Sequence, residues 1–494
     1  MPVEHVNVLI IGAGLSGIGA ACLLQERCPD RSYAILEARD AIGGTWDLFR
    51  YPGVRSDSDM YTLGYAFRPW KDARAIADGE SIREYVRDTA VERGVVEQIR
   101  FQHKVVSAEW STVDAQWTVE ARRTDTDKPV RFTCDFLYAC TGYYRYDQGY
   151  TPEFPGAQRF TGPIVHPQHW PEQLDYTGKR VVVIGSGATA VTVVPAMAQR
   201  AAQVTMLQRS PSYVLSLPSV DPRAEWLRRR LPRRAYQIVR WKNVLAAMLL
   251  FQLSRRRPAM VKRMLRRGAV EQLPAGYPVD VHFAPGYGPW DQRMCFIPDG
   301  DLFAAIRDGS ASVVTDQIET FTEHGIRLAS GTDLPADIIV TATGLNLLSV
   351  GGLSLRVDGS DVDVAKTVAY KGMMLSGVPN FAFAVGYTNA SWTLRCDLVS
   401  GYVCRLLNHM RRGGYQICTP VPPDPSLPTA PIIDLASGYV RRGVDRMPRQ
   451  GRSAPWRMYQ NYPRDILLMR YGRLDGKGIT FTRAGTRERS AAQV

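Results

Sequence analysis

The sequence predicts an α/β fold made of two similar, doubly wound Rossmann-like modules, with a helical insertion in the second. Its 494 residues are more than one hydrophobic core usually holds. Two glycine-rich fingerprints each follow an apolar run and open a helix-compatible stretch. Downstream of each fingerprint, an apolar strand runs into a Thr-Gly turn. The fingerprints are Gly12-x-Gly14-x-x-Gly17 and Gly185-x-Gly187-x-x-Ala190, and the turns are Thr141-Gly142 and Thr343-Gly344.

The first fingerprint has the acidic partner that a dinucleotide site needs. Glu37 ends the next apolar strand, 33–36, at the spacing from Gly17 where a ribose hydroxyl requires an acceptor. Backbone N–H groups at the start of the helix can hold a pyrophosphate. This module is therefore predicted to bind a dinucleotide.

The second fingerprint differs from the first at the end of the strand that follows it, where the choice of nucleotide is made. Its next strand ends in Gln208, Arg209 and Ser210 instead of a carboxylate. A guanidinium there can pair with a 2′-phosphate through a bidentate fork, which favours NADP over NAD. The alternative is an arginine on a surface loop. Ala190 replaces the third glycine, where only a small side chain is required.

The module boundaries follow from these repeats. Residues 1–145 are predicted to form the first part of the first module, and residues 146–375 the second module. A basic helical stretch at 215–289 is interpreted as an insertion in the second module. Residues 376–494 are predicted to complete the first module and to end in a polar tail from Arg483.

Composition indicates a globular enzyme of the cytoplasm. The chain is 45% hydrophobic and 22% charged, and no N-terminal signal segment precedes the first strand. The apolar run 244–253 is too short to cross a bilayer and is predicted to be a buried helix. Eight cysteines show no C-x-x-C and no ligand-like pairing with the seven histidines, so free buried thiols and no metal site are expected.

The formal net charge of +13 is concentrated between Arg223 and Arg267. Three interpretations of this basic segment, 223–267, stay open. It forms the solvated face of helices, it rests peripherally on the anionic inner face of the cell membrane, or it binds nucleic acid. No stacking platform or known binding motif accompanies the charge, so nucleic acid is not an expected partner.

The segment between the fingerprints carries a resemblance to a known family. Phe160-x-Gly162-x3-His166-x3-Trp170-Pro171, together with both fingerprints, resembles the signature of Baeyer–Villiger monooxygenases, which are class B flavoprotein monooxygenases. The likeness covers nearly the whole chain. Segments 43–59, 165–171 and 386–392 are most similar to the mycobacterial ethionamide-activating subgroup. The chain departs from the wider family at Pro167 and at Gln292, where many members have threonine and lysine.

The resemblance implies tightly bound FAD, NADPH as reductant and O2 as co-substrate. A C4a-peroxyflavin would insert one oxygen next to the carbonyl of an apolar ketone, giving an ester or lactone, and would also oxidise sulfides or thioamides. Arg293 and Asp57 match the family's catalytic arginine and the carboxylate that orients it. From the residues alone, Arg293 could instead pair with Asp291 at the surface, and Asp57 could form an Asx turn after Pro52-Gly53.

The resemblance also assigns the cofactor and hinge residues. The expected FAD residues are Gly12, Gly14, Ser16, Gly17, Glu37, Gly44, Thr45, Trp46, Asp47, Leu48 and Val105. The expected NADPH residues are Arg55, Ser56, Gly185, Ser186, Gly187, Ala188, Thr189, Ala190, Val191, Gln208, Arg209 and Ser210, with Asp57 beside them. A hinge without a proton-transfer role is expected at Phe160, Gly162, His166 and Trp170.

Three rival functions remain. A disulfide reductase shares the two-dinucleotide plan, but Cys22 and Cys28 lie on the fingerprint's own helix, which argues against it. A flavin monooxygenase could oxygenate nitrogen or sulfur without ketone activity. A flavoprotein at a membrane surface could act through interaction instead of turnover.

Overall fold

The computed structural model describes residues 3–231, 234–421, 424 and 428–484. Arg233 of the basic segment and residues 485–494 of the expected polar tail lie outside the described residues.

The helices and strands follow in chain order. Residues 3–145 contain β1 (Glu4–Ile11), α1 (Leu15–Arg27), β2 (Tyr33–Leu36), α2 (Thr45–Leu48), α3 (Met60–Leu63), α4 (Gly79–Glu92), β3 (Ile99–Arg100), β4 (His103–Ser111), β5 (Gln116–Arg123) and β6 (Pro129–Ala139). Residues 146–345 contain β7 (Ile164–Val165), β8 (Arg180–Ile184), α5 (Ala188–Ala198), β9 (Gln203–Gln208), β10 (Val214–Leu217), α6 (Pro222–Arg230), α7 (Ala235–Arg256), α8 (Pro258–Gln272), α9 (Val279–His282), β11 (Cys295–Pro298), α10 (Asp301–Arg307), β12 (Ala311–Thr315), β13 (Ile318–Thr322), β14 (Gly325–Leu328), β15 (Asp333–Pro335) and β16 (Ile338–Thr341). The later part contains β17 (Ser354–Val357), β18 (Ser360–Asp361), β19 (Ala369–Tyr370), β20 (Met374–Leu375), β21 (Phe381–Phe383), α11 (Trp392–Gly413), β22 (Ile417–Pro420), β23 (Ala430–Pro431), α12 (Gly438–Gly443), β24 (Arg449–Gln450), α13 (Tyr462–Ile466) and β25 (Ile479–Thr482).

The first module is built on a mixed sheet. Its strand order is β18-β17-β4-β5-β6-β1-β2-β3, with β21 also paired to β6. The strands β1, β2, β3 and β6 run parallel and carry the first fingerprint, whereas β4 and β5 form an antiparallel extension. The helices α1 and α11 pack together on one face of this module.

The second module is built on a parallel sheet of order β12-β9-β8-β16-β7. The second fingerprint lies between β8 and α5, at the carboxyl end of a buried strand. Crossovers between parallel strands in this arrangement define a doubly wound fold. The predicted pair of Rossmann-like modules is therefore confirmed.

Strand pairing returns the chain to the first module earlier than the predicted residue 376. β17 pairs in parallel with β4 of the first sheet, so residues 354–357 already belong to that sheet. It is a half-buried strand between β4 and β18, and its four residues are too short a pattern to be assigned to the first sheet from sequence alone.

The helical stretch between β10 and β11 contains α6, α7 and α8. The prediction that 244–253 is a buried helix is wrong in its burial. Val244 is buried, but Leu245 and Leu249 are 56% and 60% exposed. Because α7 packs one side on α3, α6 and α8, its opposite face is left open.

Two further properties concern membranes and thiols. Among the helices that the structure describes, none is both long and apolar enough to cross a membrane. All eight cysteines are buried and free, and the described residues contain no cluster suited to a metal ion.

Candidate functional site

One cavity of about 1150 Å³ is lined by residues of both modules. The carboxyl ends of the two fingerprint strands open onto it, as do residues of the later segment 437–442. Most of the predicted site residues line it. They are Gly12, Gly14, Ser16, Glu37, Gly44, Thr45, Trp46, Arg55, Ser56, Asp57, Val105, Gly185, Ser186, Gly187, Ala188, Thr189, Arg209, Ser210 and Arg293.

The first fingerprint forms a cradle that side chains would fill. Gly12 has a φ of +101°, and a Cβ there would lie 2.7 Å from the carbonyl oxygen of Cys140. Gly14 is the N-cap of α1, and no side chain caps the helix start. Exposed N–H groups at an uncapped helix start suit a pyrophosphate, so the geometry fits a dinucleotide.

Glu37 lies at the edge of this cradle. Its carboxylate accepts hydrogen bonds from the backbone N–H of Ala13 at 2.7 Å and of Arg39 at 2.9 Å. Burial raises the pKa of Glu37, while those two donors lower it. The carboxylate is thus held in place with lone pairs to spare for a ribose hydroxyl.

Three residues expected at FAD, Gly17, Asp47 and Leu48, do not line the large cavity, and their contact with FAD stays a prediction. Asp47 and Leu48 line a separate surface cavity, not the large one. The Asp47 carboxylate is ion-paired with Arg39 at 2.6 Å and with Arg50 at 2.7 Å. Gly17 packs behind the cradle, since a Cβ there would come within 1.9 Å of the Gly12 carbonyl oxygen.

The second fingerprint repeats this geometry. Gly185 has a φ of +141°, and Gly187 is the N-cap of α5 without a side-chain cap. Ala190 and Val191 are buried against the sheet instead of facing the cavity. Gln208 is also buried, and its amide donates to the carbonyl oxygen of His282 at 2.8 Å. These three side chains therefore do not line the cavity, and their part in NADPH binding stays a prediction.

Arg293 and Asp57 meet across the modules. The Arg293 Nε donates to the Asp57 Oδ2 at 2.8 Å, and the two side chains are 29% and 26% exposed. The Asp57 carboxylate raises the pKa of the Arg293 guanidinium well above its usual range. Asp291 instead pairs with Arg255 at 2.6 Å, so Arg293 is not engaged at the surface. The geometry supports neither a surface pair for Arg293 nor a simple Asx turn for Asp57.

An aromatic cluster beside Arg293 was missed by sequence reasoning. The Tyr143 ring stacks on Trp392 with centroids 4.9 Å apart, and its hydroxyl lies 3.1 Å from that of Tyr144. Burial raises the pKa of Tyr143, Tyr144 and Tyr439, which keeps all three phenols neutral. Tyr143 and Tyr144 follow a strand-to-Thr-Gly ending, a signal that could have found them. Tyr439 comes from a distant segment and has no such signal.

The predicted hinge residues lie outside the cavity lining. The ring Nε2 of His166 lies 3.1 Å from the carbonyl oxygen of Gly344, and its Nδ1 accepts from the backbone N–H of Gln168 at 3.1 Å. A Cβ at Gly162 would lie 2.3 Å from the carbonyl oxygen of Asp337. Phe160 and Trp170 pack against the second module's apolar clusters. These contacts are structural, and hinge motion stays a prediction.

His166 gives a pH prediction. Burial lowers its pKa below the usual value of about 6.5, and the neutral Nε2–H tautomer matches both hydrogen bonds. As pH falls below 6.5 the unfolded chain takes up a proton first, so this contribution to the free energy of unfolding is present above that pH and is lost with acid. We expect thermal midpoints measured from pH 8 to pH 5 to fall less steeply in His166→Gln than in the unmodified protein. The exposed His324, changed to Gln, is the control, and equal slopes in all three proteins would contradict the expectation.

Comparison with known proteins defines the class. The family model for flavin-binding monooxygenase-like proteins matches residues 5–267, and the chain belongs to this family. The predicted resemblance to flavoprotein monooxygenases is confirmed, and so is the enzyme class, a flavin-dependent monooxygenase.

Individual relatives are similar over nearly the whole length. The FAD-containing monooxygenase EthA of Mycobacterium tuberculosis is 56% identical over 97% of this chain and 98% of its own. The putative FAD-containing monooxygenase MymA of the same species is 52% identical over 99% of this chain and 100% of its own. The probable FAD-binding monooxygenase AlmA of Acinetobacter baylyi is 46% identical over 97% and 96%.

Solved structures share the fold. An oxidised steroid monooxygenase bound to NADP superposes with a TM-score of 0.75 at 22% identity, covering 97% of this chain and 100% of that one. OTEMO in complex with FAD and NADP gives 0.70 at 23% identity, with coverage of 85% and 87%. An open form of cyclohexanone monooxygenase gives 0.71 at 19% identity, with coverage of 85% and 90%.

Proposed function

We propose that the protein is an NADPH- and O2-dependent Baeyer–Villiger monooxygenase. It inserts one oxygen atom next to the carbonyl of an apolar ketone, giving an ester or lactone, and it also oxidises sulfides or thioamides. The observation that carries the proposal is the Arg293–Asp57 pair in a cavity reached by both fingerprints. Relatives named as FAD-containing monooxygenases and neighbours solved with FAD and NADP support it.

The residues present fit both cofactors. The Gly12–Gly14 cradle, the start of α1 and Glu37 would hold FAD, with Thr45 and Trp46 nearer its ring. The start of α5 with Arg209 and Ser210 would hold NADPH. Bound FAD supplies the activation of O2 with electrons from NADPH.

Arg293 would stabilise negative charge on oxygen. Asp57 holds its Nε, and no described residue accepts a hydrogen bond from its two terminal nitrogens. Those N–H groups are free to donate to the carbonyl oxygen of a ketone as that oxygen becomes anionic. A guanidinium keeps its charge at any working pH, and the paired carboxylate makes its burial tolerable.

The aromatic cluster would exclude water and select apolar substrates. Tyr143 and Trp392 present stacked faces, and Tyr144 and Tyr439 lie near the guanidinium. Their neutral phenols add no competing charge, and their ring faces suit an apolar or aromatic ketone.

The alternative within the class is oxygenation of sulfur or nitrogen without ketone activity. Oxidation of a sulfide develops no carbonyl oxyanion, so it has no need of a fixed cation. The test is product analysis by mass spectrometry with linear ketones, aryl ketones and aryl sulfides, combined with measurement of NADPH consumption. Esters establish the proposal, and sulfoxides without any ester would establish the alternative. Oxidation that no substrate stimulates, with no oxygenated product, would favour an interaction role.

We also propose that the basic segment 223–267 rests on an anionic membrane surface. Along α7, Ile238, Trp241, Leu245 and Leu249 recur at helical spacing, and each is at least 40% exposed. An exposed apolar stripe of this kind suits shallow insertion into a lipid interface.

Basic side chains bracket the stripe at both ends of α7. Arg234 precedes the helix, and Arg256 and Arg257 end it. None of these three forms an ion pair with any described residue, and the same holds for Arg263 on α8. Unpaired guanidinium groups around an apolar stripe match the chemistry of anionic headgroups.

Vesicle sedimentation tests this contact. The protein is expected to sediment with vesicles containing phosphatidylglycerol, not with phosphatidylcholine alone, and to be released by salt. Arg256→Glu with Arg257→Glu should weaken binding about tenfold or more, since each basic group contributes about 1 kcal/mol at such a surface. Leu245→Ser with Leu249→Ser should also weaken it, whereas Val113→Ser on the exposed β4–β5 turn should not. Equal sedimentation of all variants would refute the contact.

A further inference from the structure

A loop of the first module, residues 49–57, reaches into the second module. Its backbone is tied to the first module, because the N–H of Ser56 donates to the carbonyl of Ala77 at 3.0 Å and that of Gly79 donates to Val54 at 2.8 Å. Several of its side chains, in contrast, pack into the second module. Tyr51 is buried within the second module's apolar core, together with part of Phe49 and Val54. We name residues 49–57 the inter-module loop.

Gly53 marks the closest approach of the inter-module loop to α5. It has a φ of +74°, and a Cβ there would lie 2.7 Å from the Ala196 Cβ and 3.0 Å from the carbonyl oxygen of Thr192. No side chain fits between the loop and the helix. The loop is therefore seated directly on the helix that opens at the second fingerprint.

Arg55 makes the charged contact of this loop with the second module. Its Nη1 donates to the Asp301 Oδ2 at 2.5 Å and its Nη2 to the Oδ1 at 3.3 Å. The Arg55 side chain is only 12% exposed. Asp301 is the first residue of α10, and its Oδ1 also accepts from the backbone N–H of Leu302 at 2.8 Å. A two-point pair between a nearly buried guanidinium and an anchored carboxylate fixes both position and direction.

We propose that Arg55 and Asp301 form a positioning pair that holds the inter-module loop in register, so that Asp57 meets Arg293. The two terminal nitrogens of Arg55 donate to Asp301, and the expected contact of Arg55 with NADPH stays a prediction. Asp57 lies two residues further along the same loop, and its partner Arg293 belongs to the same module as Asp301. Two arginine–aspartate pairs thus join the loop to the second module. The loop supplies the arginine of the positioning pair and the aspartate of the catalytic pair.

This inference rests on the proposed function for its catalytic consequence, but the positioning itself is a property of the chain. Loss of the Arg55–Asp301 pair is expected to leave the contacts of Tyr51 and Gly53 in place and to loosen the loop near Asp57. A shift of about 1 Å in a catalytic group can lower a rate by about a hundredfold, so a partial loosening is expected to lower product per NADPH about tenfold. NADPH oxidation is expected to persist, because the fingerprints are untouched.

The test is a double-mutant cycle with two readouts. Arg55→Gln, Asp301→Asn and the double variant are compared by amide hydrogen exchange of residues 49–57 and by product formed per NADPH consumed. Each single change is expected to speed exchange in the loop and to lower product yield. The double variant should be no worse than the more affected single one, because both changes remove the same contact.

A matched control and the contrary outcomes make the test decisive. Asp337→Asn breaks the exposed Arg180–Asp337 pair within the second module and should leave loop exchange and product yield unchanged. Additive effects of the two single changes, or a lower thermal midpoint with unchanged exchange at 49–57, would overturn the positioning role. If the unmodified protein forms no oxygenated product, the proposed function fails while hydrogen exchange still reports on the pair.

Discussion

Replacing Arg293 with alanine is expected to lower ester formation about a hundredfold or more. Removal of one preorganised donor to a developing oxyanion typically has an effect of this size. The remaining Asp57 carboxylate would then face the cavity without its partner, and its charge would repel the negative charge that develops on oxygen. NADPH oxidation should continue without product, because neither fingerprint depends on Arg293. The measurements are product by mass spectrometry and NADPH by absorbance in the same reaction.

Lysine at position 293 separates charge from geometry. It keeps the cation, but its three N–H donors share one nitrogen, so it cannot bind Asp57 and also place donors where the two terminal nitrogens of the guanidinium lie. It should therefore recover only part of the loss. Arg327→Ala breaks an exposed pair with Asp333 and should behave like the unmodified enzyme. Ester formation by Arg293→Ala within a few-fold of normal would remove the basis of the proposed function.

Local constraints explain which parts of the site the sequence could predict. The fingerprint glycines are required by backbone approach within a few residues, so their spacing alone predicts a cradle, and Gly12 and Gly185 do adopt positive φ. Glu37 follows from the length of one strand–helix–strand unit. In contrast, Arg293 and Asp57 are 236 residues apart, and only the family resemblance brought them together before the structure did.

Side-chain direction explains why two predicted site residues do not line the cavity. Asp47 and Gln208 stand at positions where the backbone comes close to the cavity, but tertiary partners turn them away. Asp47 pairs with Arg39 and Arg50, and the Gln208 amide donates to acceptors on α9 and β12. Charge pairing and polar satisfaction in the interior are decided by residues remote in sequence, so spacing could not predict them.

The exposed face of the helical insertion could not be predicted from the sequence for the same reason. The apolar run of α7 predicts a buried helix when only the sequence is considered. In the structure, neighbouring helices cover one face of α7 only. The aromatic group at Arg293 likewise draws Tyr143, Trp392 and Tyr439 from three separate stretches of chain. The sequence predicts the secondary structure of each stretch, but it does not predict that the three side chains come together.

Two glycines of the second fingerprint are expected to separate folding from nucleotide binding. A Cβ at Gly185 would lie 2.4 Å from the carbonyl oxygen of Ala342, at a φ of +141°. Gly185→Ala should therefore lower the free energy of unfolding by about 2 to 3 kcal/mol, since strained backbone and overpacking act together. Gly187 has an ordinary φ of −83°, and its Cβ would meet nothing within 4 Å. Gly187→Ala should change stability by less than about 1 kcal/mol.

The substitution at position 187 should have a large effect on NADPH binding, although its effect on stability is small. The methyl group at position 187 projects where a pyrophosphate must approach the start of α5, so NADPH affinity should fall about tenfold or more with the fold intact. Denaturant unfolding and NADPH titration of both variants give the two quantities separately. An intact affinity in Gly187→Ala would mean that the nucleotide does not approach the helix start there, and the assignment of the second fingerprint to NADPH would have to be abandoned.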